Sequence, residues 1–332
     1  MAEIVLGIGT SHGPMLSTPP EGWGLRVPDD LRMRHHYRGR TWSFDELVAE
    51  RRGEQFARQI TLDVWTQRHA RCRAAIAQLA VAFAAAKPDV VVIVGNDQME
   101  CFKEALVPAL SVHYGDTIIN SEYSSERLAS LPPGIAPSVP GHIPPGGATY
   151  PACPELGRHI IECTIADGFD VTALKRLPGD ETPHAFGFVF RQIMNDRVVP
   201  TVPIFINTFY PPNQPSIRRC YDFGQSIVRA IGSWDSTARV AVIASGGLTH
   251  FVIDESVDQE FLAALRSRDI SSVAKLGEAI FQAGTSEIKN WVPVAGAMAQ
   301  LGFIPDIIDY VPCYRTEAGT GNAMAFVCWR KA

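Results

Sequence analysis

The sequence predicts an α/β fold, a single domain built on a mixed central β-sheet with helices on both faces. Three observations carry that reading. Short apolar runs rich in β-branched residues alternate with longer helical segments along the chain. One run, Val90 to Val94, is apolar throughout, as expected of a strand buried on both faces. The 332 residues are 46% hydrophobic and 20% charged, enough apolar material for one large core, and neither half reads as self-sufficient.

The elements follow in order. Ile4 to Ile8 predicts a first buried strand. Ser43 and Glu46 have the spacing of a capping box, and a largely helical region runs from there to about Ala86, with Gly53 as a break. Lys87, Pro88 and Asp89 stop it. Val90 to Val94 then delivers Gly95, Asn96, Asp97 and Gln98 to the C-terminal end of a central strand, the edge at which α/β proteins bind ligands. From Leu131 to Pro154, eight prolines and four glycines in 24 residues are too dense for a helix or a central strand. Strand and helix signals resume afterwards, so the domain spans 1–332 and 131–154 is a surface excursion, a lid or a subunit contact. Further strands are expected at Val171 to Leu174, Val202 to Ile206, Val240 to Ala244, Ile307 to Val311 and Ala323 to Trp329. Helices are expected at 155–167, 184–195, 215–232, 257–266, 270–282 and 286–301. The sequence contains no internal repeat.

Composition narrows the function. Thirty Lys and Arg against 35 Asp and Glu leave a net charge of −5 and no basic stripe, which argues against a nucleic-acid partner. The longest apolar stretch, Ala74 to Ala86, is 13 residues interrupted by Gln78, shorter than the roughly 20 a bilayer span needs. Glu3 and the early glycines do not fit an export signal. Seven scattered cysteines without a CxxC pair read as reduced thiols of a cytoplasmic protein.

Three histidines stand where a strand or helix pattern meets a Gly- or Pro-marked turn. His12 follows the first strand, His250 follows the run Val240 to Ala244 through a Gly-Gly turn, and His184 opens a helix after Pro183. Each alone also reads as a turn histidine bonded to nearby backbone; together they point to a shared cleft. Glu287 reads equally as an acid in a first helical turn or as a carboxylate aimed at those imidazoles. In the second case the set is suited to a facial Fe(II) site with open positions for oxygen and substrate. His35 and His36, in a basic stretch, and His69, His113 and His159, within regular elements, read as surface or packing residues.

Six segments in register carry a resemblance: Gly9 to Pro14, Val92 to Asp97, His184 after its acidic and Pro-marked turn, Asn207 to Pro212, Gly246 to His250, and Ser286 with Glu287. In this order they resemble the type II (class III) extradiol ring-cleavage dioxygenases, over residue 4 to about residue 300, with the catalytic β-subunit type of protocatechuate 4,5-dioxygenase as the most similar branch. Asp97 to Phe102 resembles the single-chain enzymes that open methoxylated gallates or lignin-derived biphenyl catechols. The resemblance implies Fe(II) held by two histidines and a glutamate, a catechol bound through both hydroxyls, and O2 cleaving the bond beside the diol. It also implies a homodimer. Under it, His12 matches the first ligand, Glu287 the carboxylate, His250 an acid/base beside the metal, and His184 a histidine that bonds a substrate oxygen.

One departure stands out. Where the family presents its second histidine ligand, this chain has Gln98, whose amide oxygen is a neutral donor in place of imidazole. Glu100, or a histidine brought in from His35 and His36, are alternatives that the sequence leaves open. The resulting expectation is an Fe(II)-dependent extradiol dioxygenase acting on a substituted catechol, the carboxylate on that catechol being implied by the family. A non-catalytic subunit of such an enzyme and a metal-dependent hydrolase are the competing readings.

Overall fold

The computed structural model describes residues 1–331. Its strands are β1 (Glu3–Thr10), β2 (His35–Tyr37), β3 (Arg40–Trp42), β4 (Val90–Gly95), β5 (Leu110–His113), β6 (Thr117–Asn120), β7 (Ala148–Pro151), β8 (Thr172–Leu174), β9 (Thr201–Ile206), β10 (Arg239–Ser245), β11 (His250–Val252), β12 (Ile304–Tyr314) and β13 (Thr320–Arg330). The α-helices are α1 (Val27–Arg32), α2 (Phe44–Glu50), α3 (Leu62–Ala86), α4 (Ser125–Ser130), α5 (Pro154–Ala166), α6 (His184–Phe188), α7 (Ile217–Ser233), α8 (Glu255–Ser267) and α9 (Ile288–Gln300).

Nine strands form one mixed sheet in the order β11-β13-β1-β10-β4-β9-β5-β8, with β12 on the other side of β13. At its centre β1, β10, β4 and β9 run parallel. Alternate residues of these strands face opposite sides, as the period of two demands. Val90, Val92 and Val94, with Val202, Ile204, Val240 and Val242, pack against α5, α7, α8 and α9. Val91 and Ile93, with Leu6, Ile8, Ala241 and Ile243, pack against α3 and α6. The α/β sheet covered on both faces is therefore the one the sequence predicts. No helix among the described residues is long and apolar enough to cross a membrane.

The capping box forms as expected, with the Glu46 amide donating to Ser43 Oγ and the Ser43 amide donating to Glu46 Oε2. The helical region after it is broken differently from the expectation: Gln55, in the left-handed region, separates two 3-10 turns, and α3 restarts on the Thr61 cap. The helix expected over 270–282 is instead a 3-10 stretch, Ile270–Leu276, stopped by Gly277 at φ +85°. Asp269 explains part of this, because its carboxylate and carbonyl accept from the Ser271 and Ser272 hydroxyls and hold the chain in turns. The helix expected over 184–195 is α6 followed by a π-turn, Val189–Ile193. β5, β6, β7 and β11 have three or four residues each and leave no periodic signal.

The Pro/Gly-rich excursion is ordered. β6 and β7 pair antiparallel across its neck, and a 3-10 turn, Ala136–Gly141, packs back on the domain.

Candidate active site

The parallel strands β1, β4 and β10 end on the same edge of the sheet, and the loops leaving them carry His12, Asn96 to Glu100, and Gly246 to His250. β11 continues past the end of β1 along β13: Gly7 to Thr10 pair with 326–329, and His250 to Val252 with 320–322. That register places His250 beyond His12. The 3-10 turn Ala283–Glu287 brings Glu287 to the same edge, and α6 starts there with His184. Of these, His12, Gln98, Glu100, His184, His250 and Glu287 line one cavity of about 370 Å³, at the small end of the range for small-molecule sites. The opposite wall comes from Tyr123 to His142.

The His12 tautomer follows from its partners. Ser245 Oγ donates to the Ala185 carbonyl at 2.6 Å, so its remaining contact, 3.0 Å from His12 Nδ1, is one in which Nδ1–H donates. Nε2 then carries a bare lone pair. It is buried without a hydrogen-bond partner and stands 3.3 Å from Glu287 Oε2. Burial holds the imidazole below its ordinary pKa, outweighing the attraction of Glu287.

Glu287 is gripped on both oxygens. Oε1 accepts from Asn96 Nδ2 at 3.1 Å and Gln98 Nε2 at 2.8 Å, and Oε2 accepts from the Gly247 amide at 3.0 Å. Asn290 orients Asn96 by donating to its Oδ1. Burial raises the Glu287 pKa, but His250 and His12 more than offset it and hold the group well below the usual carboxylate range.

His250 Nδ1–H donates to the Leu248 carbonyl at 3.0 Å, which leaves Nε2 facing Glu287 Oε1 at 3.6 Å. Burial opposes its charge, yet Glu287 and the Leu248 carbonyl raise its pKa above the ordinary value. The approach is close enough to require Gly284: a Cβ there would stand 2.4 Å from the His250 carbonyl oxygen and 2.6 Å from Cδ2. The turn before His250 is tied down by Asp258, which accepts from both the amide and the hydroxyl of Thr249.

His184 packs edge-on against His12, with ring centroids 4.5 Å apart. Burial lowers its pKa, but Glu100 overrides this and lifts it to about 9. His142 lies behind it at 5.9 Å between centroids, with burial pushing its pKa down to about 4.

The donors suit a divalent cation. A buried imidazole lone pair pointed at a buried carboxylate is an unfavourable pairing that a cation between them would relieve. The set is incomplete by the usual standard: among the described residues no three His, Cys, Asp or Glu side chains are grouped to hold a metal. Gln98 lies beside Glu287 and presents its N–H to that carboxylate; a half-turn of the amide would present Oε1 instead. Of the alternatives, His35 and His36 are not brought to the cavity. Their Nε2 atoms bond the carbonyls of Asp30 and Ala279. Glu100 reaches the cavity but is engaged by His184.

Thus His12, Gln98, His184, His250 and Glu287 converge on one cavity. Sequence reasoning missed His142, Tyr123 and Arg26, which lie in turns without periodicity, and Asn96 and Ser245, whose position at strand ends was the available signal.

Comparison with known proteins bears on this geometry. Over 119 residues the chain is 33% identical to gallate dioxygenase of Pseudomonas putida strain KT2440, a match covering 35% of this chain and 33% of that relative. The chain thus matches about a third of the relative's length. A solved structure, that of the uncharacterized protein JW3007 from Escherichia coli K12, aligns at TM-score 0.45 and 14% identity over 77% of this chain and 91% of its own. The family model described as the catalytic LigB subunit of aromatic ring-opening dioxygenase matches residues 62–318, most of the chain, and the protein belongs to that family.

Proposed function

We propose that the protein is an Fe(II)-dependent extradiol dioxygenase that opens a substituted, carboxylated catechol with O2. The observation that carries the reading is the unpartnered His12 Nε2, fixed by its tautomer toward Glu287, with His250 Nε2 on the other carboxylate oxygen. His12 and Glu287 would hold the metal, with the amide oxygen of Gln98 as third donor. When bound, the iron supplies Lewis acidity toward the diol and a site for oxygen.

The protein's own groups do the rest. His250, with Nδ1–H committed to Leu248, presents Nε2 beside Glu287 as the nitrogen that takes the proton of one catechol hydroxyl and later returns it. His184, its Nδ1–H on Glu100, is held rigidly with Nε2 available to bond a substrate oxygen. Phe188, Met15 and Val139 line the cavity and provide an apolar bed for an aromatic ring. Both oxygen atoms of O2 enter the product, so no external reductant is required.

The test is anaerobic reconstitution with Fe(II), followed by oxygen uptake and product absorbance with protocatechuate, gallate, 3-O-methylgallate and hydroxylated biphenyls. Oxygen consumption that requires both iron and a vicinal diol is expected. No uptake with any diol by folded, iron-loaded protein would overturn the reading, and turnover without oxygen would favour a hydrolase.

A further inference from the structure

Three arginines line the cavity, and two of them are spoken for. Arg315 lays its fork on Asp30, with Nη2 2.8 Å from Oδ1. Arg127 is paired with Glu181 and lies 4.1 Å over the Tyr123 ring. Arg26 is different. Among the described residues it has no salt bridge, hydrogen bond or aromatic partner, and its Nε is buried and unsatisfied. The charged groups that act on it are Arg315, Asp30 and Asp29, and Asp30 is already bound by the fork of Arg315. A guanidinium stays protonated, and a partly desolvated one without a counter-ion is costly unless something else supplies the anion.

The arginine is also held in place. It closes the 3-10 stretch Pro20–Arg26, which Trp23 pins by donating from Nε1 to the Met15 and Thr18 carbonyls. From the other wall Gly134, at φ +81°, approaches so closely that a Cβ would stand 2.7 Å from Arg26 Cγ. The stem is fixed between two walls while the head borders the cavity.

Resting on the dioxygenase reading, we propose that Arg26 is the residue that selects an acidic substrate, its fork receiving a carboxylate on the ring of the aromatic diol while the hydroxyls lie toward His12 and Glu287. A planar carboxylate fits a guanidinium fork in two parallel hydrogen bonds, a match that a neutral amide or ester lacks.

The experiment compares wild type, Arg26→Gln and Arg26→Lys with 3,4-dihydroxybenzoate and 3,4-dihydroxybenzamide. KM and kcat are read from oxygen uptake by iron-loaded enzyme, and Kd from anaerobic calorimetry on the same chain without iron. Wild type should prefer the acid. Arg26→Gln should raise KM and Kd for the acid roughly 10- to 100-fold with kcat little changed and the amide unaffected, and Arg26→Lys should fall between. An unchanged acid-to-amide ratio in folded Arg26→Gln, or equal Kd values for the two ligands in wild type, overturns the proposal even where both diols are opened. Arg26-dependent binding of the acid with no oxygen uptake from any diol supports the anchor while the dioxygenase reading fails.

Discussion

Glu100 Oε1 accepts two hydrogen bonds from one residue, His184, from its amide at 2.9 Å and from Nδ1 at 2.8 Å. The double contact fixes both the ring plane and the proton position of a histidine that packs edge-on against His12. Glu100 is held in turn by the loop after β4, where the Asp97 carboxylate accepts the amides of Glu100, Cys101 and Phe102.

Loss of that pair should weaken substrate handling and leave folding intact. His184→Ala should reduce kcat/KM for a catechol roughly 10- to 100-fold, the size of one hydrogen bond to a charged group. Glu100→Gln should have a smaller effect, since the amide oxygen still accepts. Steady-state oxygen uptake with thermal melts as a folding control checks both.

His250 and His12 should separate cleanly. His250→Ala should retain iron and lose turnover by about 10²- to 10⁴-fold, as expected for removal of a general acid/base. His12→Ala should lose iron as well. Metal content after desalting, measured beside activity, decides it; iron loss in His250→Ala equal to that in His12→Ala would make His250 a ligand.

Gln98→His should bind Fe(II) as tightly as wild type or tighter, because imidazole is a good donor for this metal and the side chain has a similar reach. Gln98→Ala should bind it more weakly, losing a donor and one of the hydrogen bonds on Glu287. Equilibrium dialysis with Fe(II) or Co(II) gives the order, which should be His, then Gln, then Ala.

Far from the site, His113 predicts an acid sensitivity. It is buried on β5 with neither ring nitrogen bonded, and burial pushes its pKa down to about 4. Since the unfolded chain takes up this proton near 6.5 and the folded one only near 4, stability contributed by the neutral ring is complete above the first value and falls between them. The loss is on the order of 3 kcal/mol. Denaturant unfolding of His113→Phe from pH 7 to 4 should show a shallower decline than wild type.

How far these features were legible in the sequence depends on what fixes them. β4 announces itself by a continuous β-branched run and β10 by an unbroken apolar one, and the position of Gln98 follows from where the first of them ends. His12 and His250 are readable for the same reason, as turn residues after such runs. His142 and Arg26 are not: Arg26 ends one 3-10 stretch and His142 follows another, and the path of each is set by Pro, Gly and tertiary contacts. Both can be assigned to the cavity only once the excursion folds back. The tautomer of His12 was likewise out of reach, since it depends on Ala185 and Ser245, 60 positions apart in the chain.

The pairing of β6 with β7 closes the neck of the segment that makes the second cavity wall. The chain between residues 121 and 147 is closed by that ribbon and seated on the domain where Gly141 meets Ser17 and Gly134 meets Arg26, whereas His12, Asn96, Gln98 and His250 follow sheet strands and Glu287 ends the turn before α9. Lengthening a loop closed in this way costs little, about 0.6 kcal/mol for each doubling. A change in the wall's length or polarity would thus reshape the cavity and its charge without moving the side chains that the sheet edge carries.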